Sequence, residues 1–199
     1  MGLATFIGGI HPYEGKELSE DKPIKVLEPL QGEIMVYPLS QHIGAPAKPL
    51  VAKGDHVLKG QIIAEAGGFI SANVLSSVSG TVKGIESKLV ANGAMVQSIL
   101  VENDGEEEAI EGFGTDRDAT KLSKEEIRKI VKDAGIVGLG GAGFPTHVKL
   151  TPKDENAIDY VIVNGAECEP YLTSDYRTMM ERPEQIIGGL KVMLQLFDN

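Results

Sequence analysis

The sequence predicts an α/β protein, or an α+β protein by a stricter definition, with a β-rich module ahead of an α/β domain. Two observations predict this order. Residues 34–101 contain short β-like runs that are separated by glycine-containing turn signals. Residues 123–197 contain two helical patterns, a glycine-rich loop and one short apolar run, a mixture that is typical of an α/β domain.

The predicted strands of the first module alternate with Lys-Gly, Gly-Asp, Gly-Gly and Asn-Gly steps. Residues 53–63 and 88–99 resemble each other, which indicates an approximate internal repeat of short strands. This arrangement is similar to the barrel-sandwich hybrid fold of biotinyl and lipoyl carrier domains. The predicted runs are Ile34–Tyr37, Val57–Leu58, Gln61–Ala64, Gly80–Val82 and Ser98–Val101.

A carrier function is not expected of this module. Carrier domains hold a modified lysine at a hairpin tip, but no lysine occurs between Lys59 and Lys83. The predicted tip, Gly67–Ile70, is apolar. Because an exposed apolar tip suits packing against another domain or subunit, the module is predicted to be a scaffold or docking element.

An acidic run at residues 102–111, followed by Gly112-Phe113-Gly114, separates the two halves of the chain. Of the 19 basic and 29 acidic side chains, residues 1–101 hold 8 and 9, which leaves 11 and 20 for residues 102–199. This change in charge marks a boundary, and residues 102–114 are predicted to be an acidic, solvated linker. A flexible acidic strip that steers a basic partner is the alternative.

Two helices are predicted in the second half. Ser123 and Glu126 form a capping-box pattern ahead of apolar residues at helical spacing, which predicts an amphipathic helix. The second helix is predicted to begin at proline and to cover Pro183–Phe197.

The segment Gly138–Thr146 reads Gly-Leu-Gly-Gly-Ala-Gly-Phe-Pro-Thr. Because glycine has no Cβ, backbone N–H groups here can approach a phosphate or a flat ring closely, and the Phe-Pro step can open a helix. Only Ile136 and Val137 separate the first helix from the glycines. That is too few residues for the strand that an ordinary dinucleotide fingerprint requires. A plain structural turn remains the alternative.

A second motif, Asn164–Pro170, follows the apolar run Tyr160–Val163, which is predicted to be a buried strand. The motif would place an amide and two carboxylates beyond the carboxyl end of a strand, where ligands bind in α/β proteins. The two motifs together predict a nucleotide or flavin site.

These motifs carry a family resemblance. Gly138–Leu150 and Asn164–Pro170 resemble the flavin-binding segments of the FMN- and NADH-binding subunit of respiratory complex I. The chain is more similar to the C-subunit family of Rnf electron-transport complexes. Three further segments support that likeness, which covers nearly the whole chain: Gly8–Pro12, Gln41–Pro46 and Ser79–Val82.

The resemblance implies a domain order. It divides the chain into an N-terminal extension (1–24), a barrel-sandwich hybrid module (25–101), the acidic linker (102–114) and the first part of a flavin- and NADH-binding domain (115–199). The helix at the end of the chain completes no domain, so an N-terminal fragment of a longer protein is expected.

The resemblance also implies which residues bind ligands, and it assigns no catalytic residue. Lys149 would reach a polar edge of the flavin or its phosphate. Phe144 and Glu169 would lie near the nicotinamide nucleotide. The implied flavin contacts are Gly138, Gly140, Gly141, Gly143, Asn164 and Glu167.

Two positions depart from the complex I pattern. Leu139 stands where that family has an arginine, and Ala166 stands where it has an aspartate. Both changes remove polar contacts, so the flavin affinity or redox potential should differ from that of complex I. They also favour the Rnf assignment over a complex I-type flavin subunit.

The resemblance implies electron transfer between NAD(H) and ferredoxin, through FMN and iron–sulfur clusters, coupled to ion translocation. The resemblance also implies two 4Fe-4S clusters, held by cysteine-rich motifs in the C-terminal part of the family. Since such clusters are typically held by four thiolates and this chain has one cysteine, they are expected beyond residue 199. The expected partners are other subunits of the complex, which would hold the protein peripherally at the cytoplasmic side of the cell (inner) membrane.

The alternative functions are a complex I-type flavin subunit and a non-catalytic adaptor like the A subunit of sodium-pumping NADH:quinone reductase. We expect the 199-residue chain alone to be inactive and to bind FMN weakly or not at all.

Composition excludes several function classes. The formal net charge of −10 opposes a nucleic-acid partner, since phosphate binding requires a basic surface. No apolar run approaches the about 18 residues of a membrane span, and no signal peptide is expected. Cys168 and the four histidines show no metal-ligand spacing, and His147 is predicted to be a wall residue rather than a base.

Overall fold

A computed structural model describes residue 10 and residues 12–197, which form two compact units. The larger unit contains residues 28–159 and 192–197. The smaller unit contains the described residues up to Leu27 together with residues 160–191. Much of the segment Gly8–Pro12, including His11, lies outside the described residues.

The larger unit is built on two antiparallel sheets. One sheet has the strand order β1-β7-β6-β3 and the other has the order β2-β4-β5. The strands are β1 Ile34–Pro38, β2 Lys48–Pro49, β3 His56–Val57, β4 Ile62–Glu65, β5 Val74–Leu75, β6 Gly80–Leu89 and β7 Met95–Asn103. The five predicted β runs are therefore confirmed, while β2 and β5 are additional.

Strands β6 and β7 form a long hairpin that sets the frame of the module. Val82 pairs with Val101 and Ile85 pairs with Ile99. A bulge between Val82 and Gly84 interrupts the register. The Asn92-Gly93 turn closes the hairpin, with Gly93 at φ 83, a backbone conformation that glycine adopts without a steric cost.

Both sheets contribute to one hydrophobic core, since side chains from β3 and β4 share a cluster with those from β6 and β7. Burying an aliphatic side chain completely stabilises a fold by about 1.5–3 kcal/mol before entropy is counted, so this cluster is the main stabilising element of the unit. Its most buried members are Val57, Ile63, Val82, Ile99 and Val101.

The predicted apolar tip, Gly67–Ile70, lies between β4 and β5 and is held against residues 45–46. The Ala45 N–H donates to Ile70 O at 3.0 Å. A Cβ at Gly67 would lie 2.0 Å from Pro46 O, so this position accepts only glycine without backbone movement. The Phe69 ring is 81% exposed, so the chain holds the loop backbone in place while the ring faces solvent.

The helices are α1 Lys124–Asp133, α2 Thr146–Lys149, α3 Ser174–Glu181 and α4 Pro183–Leu194. The predicted capping box is confirmed: Ser123 Oγ accepts from Glu126 N–H at 3.2 Å, and Ser123 N–H donates to Glu126 Oε2 at 2.8 Å. Helix α4 begins at Pro183 as predicted and ends before Phe197. The apolar face of α1 buries Ile127 in a second cluster with Leu150 and Leu196.

The prediction of a buried strand at Tyr160–Val163 is wrong. These residues have no strand structure, and Tyr160 and Ile162 are each 84% exposed. An apolar extended run becomes a strand only when a neighbouring strand satisfies its backbone groups. Within residues 12–197, no strand pairs with this run.

The acidic run is mostly exposed, but part of its backbone is bound to the β-rich module. Strand β7 continues through Asn103, so the first two residues of the predicted linker belong to the sheet. Lys59 N–H donates to Glu108 O at 2.9 Å, and Ile110 N–H donates to Lys59 O at 3.1 Å. These two bonds hold the middle of the acidic run against the module, because residues 108–110 pair with the backbone of Lys59.

None of the helices formed by the described residues is both long and apolar enough to cross a lipid bilayer.

Candidate functional site

The glycine-rich segment forms a loop that is closed at its base. Gly138 N–H donates to Phe144 O at 2.9 Å, and Thr146 N–H donates to Ile136 O at 2.9 Å. Val137 and Pro145 form an antiparallel bridge between these two bonds. Helix α2 begins directly after Pro145, which confirms that the Phe-Pro step opens a helix.

The outer part of this loop presents its backbone to solvent. Residues 139–142 are exposed, and Leu139 is 95% exposed. Among the described residues, the N–H groups of residues 139–142 have no protein acceptor. A Cβ at Gly140 or Gly141 would meet nothing within 4 Å. Packing inside the chain therefore does not require glycine at these two positions. Glycine would instead be needed if a group rich in hydrogen-bond acceptors approached the backbone closely.

Gly143 has a different role, because it fixes the loop to the β-rich module. Its φ is 62, and a Cβ there would lie 2.8 Å from Gln41 O and 3.0 Å from the Cα of His42. Ile43 N–H also donates to Ala142 O at 3.0 Å. The glycine loop thus rests on the motif Gln41–Pro46, which carries part of the same family resemblance.

His42 shapes the surface on which the loop rests. The residue is buried, its Nδ1 lies 3.1 Å from Ile43 O, and Ala72 N–H donates to its Nε2 at 3.1 Å. A carbonyl oxygen only accepts and an amide N–H only donates, so these bonds assign the neutral ring with its proton on Nδ1. The imidazole therefore joins residues 41–43, on which the glycine loop rests, to the backbone of Ala72.

A cavity of about 640 Å³ borders one side of the loop. Its walls include Gln41–Ile43, Gly141, Ala142 and the residues 90–92 of the β6–β7 turn. This volume lies within the range of about 300–1,000 Å³ that is typical of small-molecule sites.

Two further predicted site residues lie close to this loop in sequence, in the same unit. Phe144 is 37% exposed, and Lys149 is exposed at the end of α2. Within residues 12–197, the Lys149 ammonium forms no ion pair, so it can meet an anion. Burial, and then the charge of Lys132, lower the pKa of His147, so this ring is neutral near pH 7.

The remaining predicted site residues belong to the smaller unit. Asn164 Oδ1 accepts from Ala166 N–H at 3.0 Å, which closes an Asx turn. The Glu167 side chain is only 7% exposed, and its Oε1 accepts from Asp175 N–H at 2.9 Å. The N-cap residue Thr173 makes no side-chain capping bond, so Glu167 caps helix α3 instead.

Glu169 is exposed and interacts with its neighbour Cys168. A hydrogen bond to the Glu169 carboxylate, then desolvation and the same negative charge, raise the pKa of the Cys168 thiol. The thiol is therefore protonated at neutral pH and is a poor nucleophile. Within residues 12–197, no three His, Cys, Asp or Glu side chains are arranged to hold a metal ion.

Sequence reasoning missed that the N-terminal extension contributes to this motif. Lys16 Nζ donates to Leu172 O at 2.8 Å and to Glu169 O at 3.3 Å, and it lies 3.8 Å from Glu167 Oε2. These partners are more than 150 positions away in sequence, so no local pattern indicates them.

Two family models match parts of the chain. Residues 4–106 match the family described as "RnfC Barrel sandwich hybrid domain", and residues 131–199 match the "Nuo51 FMN-binding domain" family. The first match confirms the predicted fold of the β-rich module.

Curated relatives align over nearly the whole chain. The C subunit of the proton-translocating ferredoxin:NAD(+) oxidoreductase complex of Clostridium ljungdahlii is 43% identical over 98% of the chain and 42% of the relative. The C subunit of the Na(+)-translocating ferredoxin:NAD(+) oxidoreductase complex of Acetobacterium woodii is 44% identical over 96% of the chain and 43% of the relative. The C subunit of the ion-translocating oxidoreductase complex of Rhodobacter capsulatus is 43% identical over 94% of the chain and 36% of the relative. The chain thus spans less than half the length of these relatives.

Proposed function

This chain belongs to the RnfC family, and we propose that it is the N-terminal part of the C subunit of a membrane-associated electron-transport complex. The complete complex passes electrons between NAD(H) and ferredoxin and couples this transfer to ion translocation. The observation that carries the proposal is the succession of an RnfC module and an FMN-binding segment in one chain. The names of the relatives support the same function.

The glycine loop supplies backbone donors to FMN. Residues 139–142 offer exposed N–H groups without a protein acceptor in the described chain, and Gly140 and Gly141 leave space for close approach. A phosphate or the acceptor edge of a flavin ring matches such donors. The exposed Lys149 adds a positive charge that forms no ion pair within residues 12–197. Gly138 and Gly143 hold the base of the loop, because one closes it and the other seats it on residues 41–42.

The motif Asn164–Pro170 supplies side chains to the flavin and the nicotinamide nucleotide. Asn164 and Glu167 contribute to the flavin side, and the buried Glu167 also fixes the start of α3. Glu169 accepts hydrogen bonds from ribose hydroxyls, because its carboxylate is exposed and acceptor-only. Phe144 stacks on a flat ring of the nucleotide. Bound FMN would supply hydride exchange with NAD(H) and one-electron transfer to the clusters.

The two family matches support a domain order for the chain. The proposed domains are the barrel-sandwich hybrid module (25–101), the acidic linker (102–114), whose first two residues lie in β7, and the first part of the FMN- and NADH-binding domain (115–199). Residues 1–24 form the N-terminal extension, whose described part associates with residues 160–191 in the smaller unit. Two 4Fe-4S clusters lie beyond residue 199. Other subunits of the complex hold the protein at the cytoplasmic side of the membrane.

The test is to purify the full-length protein that carries this chain and to measure its flavin, its iron and its reduction by NADH without oxygen. We expect bound FMN, two iron–sulfur clusters and bleaching of the flavin absorbance on addition of NADH. Membranes that hold the complete complex should then reduce ferredoxin-linked acceptors with NADH, or NAD⁺ with reduced ferredoxin.

The same measurements separate the two alternatives. A non-catalytic adaptor would purify without FMN and without iron. A complex I-type protein would be bleached by NADH, but its membranes would show no exchange between NADH and ferredoxin. Either result would refute the proposed function.

A further inference from the structure

We propose that Lys16 is a positioning residue that holds the acidic loop, defined here as residues 167–172, in the form that binds NADH. The inference rests on the proposed function, because that function assigns Glu169 to the nicotinamide nucleotide. Lys16 itself touches no proposed ligand. Its role is to fix the backbone from which Glu169 projects.

Three acceptors of the acidic loop converge on one ammonium group. Lys16 Nζ donates to the carbonyl oxygens of Glu169 and Leu172 and faces the Glu167 carboxylate at 3.8 Å. A lysine ammonium has three donors and no acceptor, so it can donate to both carbonyl oxygens while its charge attracts the Glu167 carboxylate. Because the three acceptors belong to one loop, the charge of Lys16 ties its two ends to each other.

The Glu167 carboxylate depends on this ammonium because it is almost fully buried. Its side chain is 7% exposed, and one of its oxygens already caps α3 through Asp175 N–H. A buried carboxylate that loses its nearest positive charge either becomes hydrated or moves outward. Either response shifts the residues that follow it, which include Glu169.

The surrounding extension presents Lys16 at a fixed place. Tyr171 N–H donates to Glu14 O at 2.6 Å, and Ser19 Oγ donates to Tyr171 O at 3.2 Å. A Cβ at Gly15, whose φ is 62, would lie 2.3 Å from the Tyr171 ring. The extension therefore packs on the loop both before and after Lys16.

Helix α3 anchors the same extension farther along. Ile24 N–H donates to the Glu181 carboxylate at 3.0 Å, and Arg177 Nη1 donates to Glu20 O at 3.0 Å. Because the extension is held at both ends, removing the Lys16 ammonium should loosen the acidic loop without releasing the whole extension.

The experiment compares Lys16→Met, Lys16→Arg and the natural residue in the full-length protein with FMN bound. Lys22→Met is the matched control, because Lys22 lies in the same extension and, within residues 12–197, its ammonium donates only to the local carbonyl of Leu18. Two measurements are made on each protein: steady-state NADH oxidation with an artificial acceptor, and hydrogen–deuterium exchange of residues 167–173.

We expect Lys16→Met to raise the KM for NADH about tenfold, because a displaced Glu169 would lose its hydrogen bond to the nucleotide. A hydrogen bond to a charged group contributes on the order of one to two decades in affinity. The kcat and the FMN content should change by less than about twofold, and exchange at residues 167–173 should become faster. Lys16→Arg should largely restore the KM for NADH and the slow exchange at residues 167–173, because a guanidinium can also donate to two carbonyls. Lys22→Met should behave like the natural protein.

Unchanged exchange at residues 167–173 in a folded Lys16→Met protein would overturn the proposal. So would an equal rise in KM for Lys22→Met. If Lys16→Met does not fold, Lys16→Gln replaces it, and exchange equal to that of the natural protein again overturns the proposal. If the natural protein itself does not oxidise NADH, the proposed function fails, while the exchange measurement still decides whether Lys16 holds the loop.

Discussion

Ser79 Oγ donates a 2.7 Å hydrogen bond to Oδ1 of Asp104, which joins the residue before β6 to the residue after β7. Ser79 Oγ also accepts from Glu108 N–H at 3.0 Å. The bond from Ser79 is the largest cause of a lowered pKa of Asp104, and bonds from Glu106 N–H and His56 act in the same direction. One buried hydroxyl thus secures the end of the sheet and the start of the acidic run.

Ser79→Ala should lower the free energy of unfolding by about 1–3 kcal/mol at pH 7, because it leaves Asp104 and the Glu108 N–H without this partner. The ionised form of Asp104 is favoured in the folded state, so its contribution is present above the ordinary aspartate pKa of 3.8 and is lost as the pH falls through the lowered pKa. The difference between the natural protein and the variant should therefore shrink as the pH falls below about 3.8. Denaturant unfolding at several pH values measures it, with the exposed Ser87→Ala as control.

Two glycines of the same loop should respond differently to alanine. Gly143→Ala should destabilise the protein by roughly 1 kcal/mol or more, because the residue has a φ of 62 and its Cβ would meet Gln41 O at 2.8 Å. Gly140→Ala should leave the unfolding transition unchanged, since its Cβ meets nothing within 4 Å. It should instead weaken FMN retention in the full-length protein. Equal losses of stability in the two variants would contradict this division of roles.

Local signals predicted the local elements of this fold. The capping box at Ser123 and Glu126 needs only four consecutive residues, and Pro183 marks a helix start by its own backbone. The alternation of β runs and glycine turns likewise predicted strand structure within β6 and β7, although both strands extend beyond the predicted runs and their pairing as one long hairpin was not predicted.

Contacts between distant residues left no such signal. Tyr160–Val163 has the composition of a strand, but a strand also needs a neighbour, and composition does not reveal whether one is present. Lys16 resembles any surface lysine until the chain places it against Leu172. The support of the glycine loop by His42 depends in the same way on residue 72, thirty positions later.

Glu169→Gln should make the Cys168 thiol more reactive. The carboxylate of Glu169 raises the pKa of Cys168 through a hydrogen bond and through its charge, and the amide removes that charge. Alkylation by iodoacetamide at pH 8 should therefore be faster in the variant, since the thiolate is the reacting species. In the 199-residue chain Cys168 is the single cysteine, so intact mass reports its rate directly. Glu184→Gln, in α4, should show the natural rate.

Lys149→Met should weaken FMN retention in the full-length protein. The exposed ammonium at the end of α2 is proposed to meet a polar edge or the phosphate of FMN, and such a bond contributes roughly 1.5–3 kcal/mol. This loss corresponds to a Kd about 10–100-fold higher, which flavin fluorescence after gel filtration can detect. Lys153→Met is the control, because Lys153 is an exposed lysine only four residues away. If both variants lost FMN equally, general charge rather than Lys149 would hold the cofactor.

Glu169→Ala should weaken reduction by NADH more than it weakens FMN retention. The proposed partner of Glu169 is a ribose of the nicotinamide nucleotide, and its exposed carboxylate caps no helix, unlike that of Glu167. Stopped-flow bleaching of bound FMN by NADH should therefore require higher NADH concentrations, while the flavin content after gel filtration stays close to natural. Since removal of a buried cap would disturb the fold, Glu167→Ala is expected to lose stability as well as flavin. Loss of FMN with natural NADH kinetics in the remaining holoprotein would place Glu169 on the flavin side of the site.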